Sequence, residues 1–331
     1  MITQPSRNLL GLDNSEVRFF CGSSNRPLAE AIADQLGVDL DSTLIRRFSN
    51  DNLYIQLGAS VRSRQVFILQ SLSPPVNDHL MELLMMLDIA RGAAAKEVHA
   101  IIPYFSFARS DKKDAARISI TARLVADLLQ TAGATHVMTM NLHSPQVHGF
   151  FGVPTDPLTA RPTFTRYFRE KALTEAIVVT PDAGQAKSAG RFAEQLGLRM
   201  ATGSKERVSD TLVRIDTIVG KTVQGYKRVI IFDDEIATGT SVVELSQILV
   251  DHGVEEIYVT CTHGVFVGGA LDRLAAVPQI REIVTTDTVA IKPEAIRPNL
   301  RVLSVASIFS DAIRRNYHRQ SIGDLFAYGD T

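Results

Sequence analysis

Arg228-Val229-Ile230-Ile231-Phe232-Asp233-Asp234-Glu235-Ile236-Ala237-Thr238-Gly239-Thr240-Ser241 carries the reading of this chain. The apolar, β-branched run that opens it reads as a buried strand. Two adjacent carboxylates close the strand, and a small, hydroxyl-rich turn follows. The spacing then predicts a helix. Ser241 can cap it, Glu244 lies three residues on to complete a capping box, and Val242, Leu245, Ile248 and Leu249 share a face. Such a turn aims backbone N–H groups and the positive helix end at one spot, a place suited to a phosphate. Beside it, Asp233 and Asp234 can accept hydrogen bonds from vicinal hydroxyls or hold a divalent cation. An acidic pair alone would do no more than favour the helix start. Strand, acidic pair and Thr-Gly-Thr-Ser turn together favour a sugar phosphate.

The same alternation extends along the chain. Strand-like runs fall at residues 17–21, 66–70, 97–103, 136–140, 176–180, 228–232, 256–261, 282–286 and 301–304. Helical patterns fall between them at 27–36, 77–92, 120–132, 185–196 and 241–252, several followed by a glycine such as Gly37, Gly133, Gly197 or Gly253. Near-continuous apolar strands alternating with helices imply an α/β fold with parallel sheets covered on both faces. One sheet holding every strand would be very wide, so two doubly wound domains are expected. A boundary is expected near residues 153–162, where Pro154, Pro157 and Pro162 cluster with few helical signals. That gives units at 1–157 and 158–304, with residues 305–331, including a helical segment at 308–318, packing back on the first.

Composition sets limits. The 331 residues are 45% hydrophobic and 21% charged, ample for two domains, and the net charge of −1 supplies no global field toward nucleic acid or membrane. The N-terminus lacks a charged-then-apolar signal pattern, and no uninterrupted apolar run is long enough to span a bilayer. The two cysteines, Cys21 and Cys261, sit in or beside strand-like runs, which implies buried thiols in a reducing cytoplasm rather than a disulfide or zinc site.

Several loops carry candidate chemistry. His143, in Asn141-Leu142-His143-Ser144, follows a strand and so lies at the edge where doubly wound sheets bind ligands; it can bind a metal or donate to phosphate. His263, in Thr262-His263-Gly264, reads better as a histidine that fixes a turn. Asp182, in Thr180-Pro181-Asp182-Ala183-Gly184-Gln185-Ala186-Lys187, can orient a metal-bound water or a hydroxyl, or cap a helix. In the charged loop from Ser106 to Asp114, Arg109 can clamp phosphate bidentately, with Lys112 and Lys113 as looser point charges. Gly203-Ser204-Lys205-Glu206-Arg207 is a polar loop whose two cations, on a mobile flap, can stabilise a transferring phosphoryl group. Mixed charge in both loops reads first as a solvated surface, which spacing does not overturn. Neither G-x-x-x-x-G-K-[ST] nor G-x-G-x-x-G occurs.

The 228–241 stretch resembles the phosphoribosyl-diphosphate loop of the type I phosphoribosyltransferase fold. Together with Phe20-Cys21-Gly22-Ser23-Ser24, Phe48-Ser49-Asn50, Ile102-Pro103-Tyr104-Phe105, Val147-His148-Gly149-Phe150-Phe151 and Thr262-His263-Gly264-Val265, the chain resembles the ribose-phosphate diphosphokinase family over nearly its whole length. The resemblance implies transfer of the diphosphoryl group of ATP to the C1 hydroxyl of ribose 5-phosphate with Mg²⁺, giving phosphoribosyl diphosphate and AMP. It matches Phe48, Asn50, Asn52, Arg109, Ser110, Asp114 and His143 to ATP-binding positions, and His143 and Asp182 to metal-associated ones. Lys205 and Arg207 match the catalytic flap pair. Asp182, Asp233, Asp234, Ala237, Thr238, Gly239, Thr240 and Ser241 match ribose-5-phosphate positions. The resemblance also implies a homo-oligomer, a hexamer built from dimers, with ATP bound partly across a subunit interface.

The chain departs from the family's pattern at its sites. The loop usually reads Asp-Asp-x-x-Asp-Thr-x-Gly-Thr, whereas here Ala237 replaces the third Asp, Thr240 the Gly and Ser241 the last Thr. Asn141 stands for a usual Asp, Asn52 for Glu, Ser110 for Gln and Gln185 for Gly. These departures suit a second expectation, a catalytically impaired paralogue acting as a regulatory or assembly subunit. Retention of Lys205 and Arg207 favours a working enzyme. A transferase using phosphoribosyl diphosphate with a base ranks behind both, because the match extends well beyond the shared loop.

Overall fold

The computed structural model describes residues 11–181, 183–203 and 222–326 in full, and residues 205–207 and 213–215 through their backbone alone. The first half runs β1 (Val17–Cys21), α1 (Arg26–Leu36), β2 (Leu40–Asp41), β3 (Thr43–Arg47), β4 (Leu53–Leu57), β5 (Gln65–Leu69), α2 (Val76–Gly92), β6 (Glu97–Ile102), α3 (Thr121–Ala132), β7 (His136–Met140) and β8 (Thr155–Leu158). The second runs α4 (Arg161–Lys171), β9 (Ala176–Thr180), α5 (Ala186–Leu196), β10 (Arg199–Thr202), β11 (Lys205–Arg207), β12 (Val213–Ile215), β13 (Arg228–Ile236), α6 (Thr240–Asp251) and β14 (Glu256–Gly264). It continues with α7 (Ala270–Ala275), β15 (Ile280–Thr286), β16 (Leu300–Leu303) and α8 (Ala306–Tyr317).

Two six-stranded parallel sheets result, ordered β2-β1-β5-β6-β7-β8 and β10-β9-β13-β14-β15-β16. The two orders are the same pattern repeated. In each, the chain builds one edge, returns, and then extends the other way. The order therefore reverses between β1 and β5 and between β9 and β13, and such reversals open ligand crevices at the strands' carboxyl ends. The acidic pair sits at the carboxyl end of β13, beside one reversal.

Strand alternation explains the packing. Ile177, Val179, Val229 and Ile231 bury one face of the second sheet with Val242, Leu245 and Leu249 of α6. Val178, Ile230 and Phe232 on the other face join a cluster with Phe19, Met138, Phe164, Phe192 and Phe309, so both sheets contribute to one apolar core. Phe192 stacks on Phe232 with ring centroids 4.8 Å apart. At the C-terminal end of the chain, α8 lies on α1, where the Ser310 hydroxyl donates to Gln35 Oε1 at 2.7 Å and Arg314 to the Gln35 carbonyl at 3.0 Å.

Several sequence expectations are corrected. The proline-rich stretch holds structure: Pro157 lies in β8, at the sheet edge where a missing N–H costs least, and Pro162 lies in the first turn of α4, where its N–H would be unpaired anyway. The polar segment with Lys205 and Arg207 is not a loop: their backbone pairs with Ile215 and Val213 in an antiparallel ladder. β3 and β4 pair as an antiparallel hairpin that the sequence pattern does not predict. No described helix is long and apolar enough to cross a membrane. Cys21 and Cys261 are both free and buried. Burial pushes the Cys21 thiol up to about 12, and that of Cys261 further.

Candidate active site

β13 runs past its apolar segment through both aspartates to Ile236, because the ladder to β14 continues as Asp233↔Cys261, Glu235↔His263 and Ile236↔Gly264. The turn that follows is pinned from behind. Val267 N–H donates to the Ala237 carbonyl at 2.9 Å, and Arg273 donates to the Thr238 carbonyl through Nε at 3.1 Å and Nη2 at 2.7 Å. With those carbonyls engaged, and the first helical N–H groups lacking intrahelical partners, the turn offers donors to the cavity above it. That open cavity is lined by Arg109, Asp233, Glu235 and every residue from Ile236 to Val242.

The expected capping box does not form. The N-cap of α6 is Gly239, with φ 77° and no side-chain cap bond, and Ser241 already lies inside the helix. A left-handed residue is needed to swing the strand into the helix, and glycine adopts that conformation without strain. Thr240, standing where the family pattern has glycine, is an exposed first helical residue and bears no positive φ. Gly239→Ala would meet only ordinary contacts, the nearest 3.5 Å away at Leu274 Cγ. Its expected cost is therefore backbone strain of about 1 kcal/mol, readable by urea unfolding.

Successive strand residues diverge. Asp233 faces the turn cavity, while Asp234, 5% exposed, turns toward the first half, where His143 Nδ1–H donates to its Oδ2 at 2.5 Å. This bond holds the imidazole above its ordinary range, against burial. Burial pushes the Asp234 carboxyl up, but the same bond and the charge the ring carries when protonated more than offset that and leave it low. The pair bridges the two halves. His143 keeps 36% of its side chain exposed, leaving Nε2 as the nitrogen that can meet a ligand.

Asn141, at the end of β7, has φ 41°, a left-handed conformation that asparagine tolerates better than most residues. Its Oδ1 accepts from Ala160 N–H at 2.7 Å, so its carboxamide orders the start of α4. His263 does not fix a turn as its sequence context suggested: it lies within β14, bonding Thr288 Oγ1 at 2.9 Å and the carbonyls of Met140 and Asn141 at 3.1 and 3.3 Å.

Arg109 ends a short 3₁₀ turn (Ser106–Arg109) after β6 and reaches from the first half to within 3.6 Å of Glu235 Oε2. Tyr104, Arg109, His143, Asp234, Glu235 and His263 line a small, partly enclosed cavity. A larger one opens between His143, Asp234 and the start of α5 at Gly184, Gln185 and Lys187.

The structure therefore brings together Arg109, His143, Asp233, Asp234, Ala237, Thr238, Gly239, Thr240 and Ser241. Phe48, Asn50 and Asn52 stand apart at the tip of the β3–β4 hairpin and line none of the cavities described; Phe48 is 54% exposed, its ring 5.9 Å from that of Tyr54. Ser110 and Asp114 follow Arg109 outward, and Asp114 is exposed. Asp182 lies outside the described residues, as do the side chains of Lys205 and Arg207. Sequence reasoning missed Tyr104 and Glu235. A third acid in register with Asp233 on the strand was the available signal for Glu235.

Comparison with known proteins agrees with this geometry. Residues 17–133 match the N-terminal domain of ribose phosphate pyrophosphokinase, and residues 211–327 a phosphoribosyl synthetase-associated domain. The chain is 46% identical over 318 residues to ribose-phosphate pyrophosphokinase of Deinococcus radiodurans, covering 94% of this chain and 98% of that one. The Caldanaerobacter subterraneus enzyme of the same name is 42% identical over 313 residues, with the same coverage. The crystal structure of phosphoribosylpyrophosphate synthetase from Mycobacterium smegmatis superposes with a TM-score of 0.85 at 35% identity, covering 92% of this chain and 99% of that one.

Proposed function

The chain belongs to the ribose-phosphate pyrophosphokinase family, and on that premise we propose that its crevice transfers the diphosphoryl group of ATP to the C1 hydroxyl of ribose 5-phosphate. The observation that carries this reading is the convergence of Arg109 and His143 from the first half on Asp233, Asp234 and the β13–α6 turn of the second. Residues 238–241 hold the 5-phosphate through backbone N–H groups and hydroxyls. Asp233 and Asp234 accept from the ribose hydroxyls, and Arg109 meets the donor's phosphates. Transfer of this kind demands positioning and charge neutralisation more than a covalent nucleophile.

Magnesium carried on the nucleotide is what the family resemblance adds: neutral His143, through Nε2, and Asp182 are the positions it assigns, and among the described residues no cluster of three or more His, Cys, Asp or Glu could hold a metal without the nucleotide. When bound, the cation would neutralise charge on the phosphates. The Phe48 hairpin lies off this crevice, which suits a homo-oligomer whose hairpin reaches a neighbouring copy's nucleotide. Buried, free thiols suit a reducing cytoplasm. Nothing in the described site favours the non-catalytic reading, since Arg109, His143, Asp233 and Asp234 are all in place.

Incubation with ATP, ribose 5-phosphate and Mg²⁺, followed by phosphorus NMR, tests the reading. AMP and phosphoribosyl diphosphate are expected in step; folded protein yielding neither would overturn it. Lys205→Ala is expected to lower kcat about a hundredfold, the scale of losing one charge-stabilising donor, with little change in ribose 5-phosphate affinity. Equal losses in both would argue against a role confined to the transferring group.

A further inference from the structure

We propose that Glu235 is a positioning residue of this site, its buried carboxylate holding the Arg109 guanidinium at the wall between the turn cavity and the enclosed cavity behind it. The inference rests on the reading that Arg109 meets the phosphates of the donor.

Strand alternation puts Glu235 on the side of β13 that carries Asp233 and Ala237, and all three line the turn cavity. Glu235 also lines the enclosed cavity, together with Tyr104 and Arg109. It is 7% exposed. A buried carboxylate is costly unless paired, and this one adjoins Asp234, whose charge opposes its own. An apolar side chain would fill the position at lower cost.

The Arg109 guanidinium compensates the charge. Tyr104 lines the same cavity as the carboxylate, and Arg109 Nε lies 3.6 Å from Oε2. Arg109 itself is 51% exposed. A half-exposed arginine ordinarily samples many rotamers, so a fixed buried countercharge at its Nε narrows that range. The Nη groups are then left for a bidentate phosphate contact. A third carboxylate beside a polyanion site makes physical sense when its charge is spent on the arginine that faces the polyanion.

Steady-state kinetics of Glu235→Gln, Arg109→Lys and the double variant test this. Glu235→Gln keeps the side chain's size and is expected to raise KM for ATP about tenfold, with KM for ribose 5-phosphate unchanged. On the Arg109→Lys background the same change is expected to add less than about twofold, because the interaction is already broken. Glu235→Asp, which keeps the charge, is expected to recover part of the ATP affinity. Equal ATP effects in both backgrounds would overturn the proposal. So would a loss confined to melting temperature, or a Glu235→Asp variant no better than Glu235→Gln. Should Glu235→Gln not fold, the Glu235→Asp comparison in both Arg109 backgrounds decides alone. Parent protein that makes no phosphoribosyl diphosphate would refute the functional reading instead, a result separable from all of these.

Discussion

Asp234→Asn lowers kcat/KM for ribose 5-phosphate on the order of 10³-fold, the largest loss expected from a single change in this crevice. The carboxylate is 5% exposed and accepts from His143 Nδ1–H at 2.5 Å. Removing its charge takes away the acceptor that orients the His143 ring at the meeting point of the two halves. A thousandfold loss is about 4 kcal/mol of transition-state stabilisation, the upper scale of removing one preorganised charge-stabilising group from an active site. Asparagine also turns an NH₂ or an amide oxygen toward a position now held by a carboxylate, so the imidazole loses both its proton preference and its orientation. The loss should be shared with His143. His143→Ala alone is expected to be severe, but the double variant should be little worse than Asp234→Asn, since the two act as a unit. Asp233→Asn, with a half-buried carboxylate in the other cavity, should show a smaller loss, seen mainly in ribose 5-phosphate affinity. If Asp234→Asn retains activity within a few-fold of the parent, the bridge holds the halves together without ordering the reaction.

How far the sequence anticipated this arrangement depends on where periodicity decides the outcome. Runs such as residues 17–21, 136–140 and 176–180 appear as strands without a residue of error, because they are buried on both faces and mostly apolar, with Arg18, His136, Thr139 and Thr180 the exceptions. The end of β13 was read too short because Asp233, Asp234 and Glu235 break that apolar rule while the ladder to β14 carries on. Propensity argued for a turn, and backbone pairing with a neighbouring strand prevailed. The β3–β4 hairpin was missed for a related reason. Only Ile55 of its ten residues is buried, so its side chains carry little apolar alternation. At the helix start, Ser241 and Glu244 had the spacing of a capping box, but the left-handed Gly239 had already turned the chain. The repeated strand order could not be seen at all, since a shared topology needs no shared side chains.

The site was legible in residue types but not in pairings. Carboxylates, a histidine and an arginine at strand ends are visible as chemistry in one dimension. Which of them touch depends on how the two sheets meet around Phe192, Phe232 and Phe309. Asn141 shows the limit best. Against the family pattern it looks like a lost charge, whereas in the fold it is a left-handed residue whose carboxamide bonds the start of α4.

Acid is expected to remove roughly 3 kcal/mol of stability through His263 alone between pH 6.5 and about 4. The ring is fully buried, and burial holds its pKa down to about 4 against an ordinary value of 6.5. Nε2–H donates to the carbonyls of Met140 and Asn141, so Nδ1 carries the lone pair that accepts from the Thr288 hydroxyl. A second proton on Nδ1 would turn the Thr288 hydroxyl to donate to the Thr262 carbonyl, 3.1 Å away, and would bury a charge. Between the two pKa values the unfolded chain binds the proton and the folded chain does not. Stability therefore rises with pH through that window and is fully present above about 6.5. His143 has the opposite sign: its folded pKa is raised, so its contribution is present below the ordinary value and is lost as pH rises. Comparison of the parent with His263→Gln separates the two, because both proteins retain His143. Gln can donate one amide N–H to the same carbonyls without titrating, so its urea-unfolding free energy should fall less between pH 7 and 4.5 than that of the parent. Parallel losses in the two proteins would place the acid sensitivity elsewhere and leave His263 as a bridge whose protonation the fold tolerates.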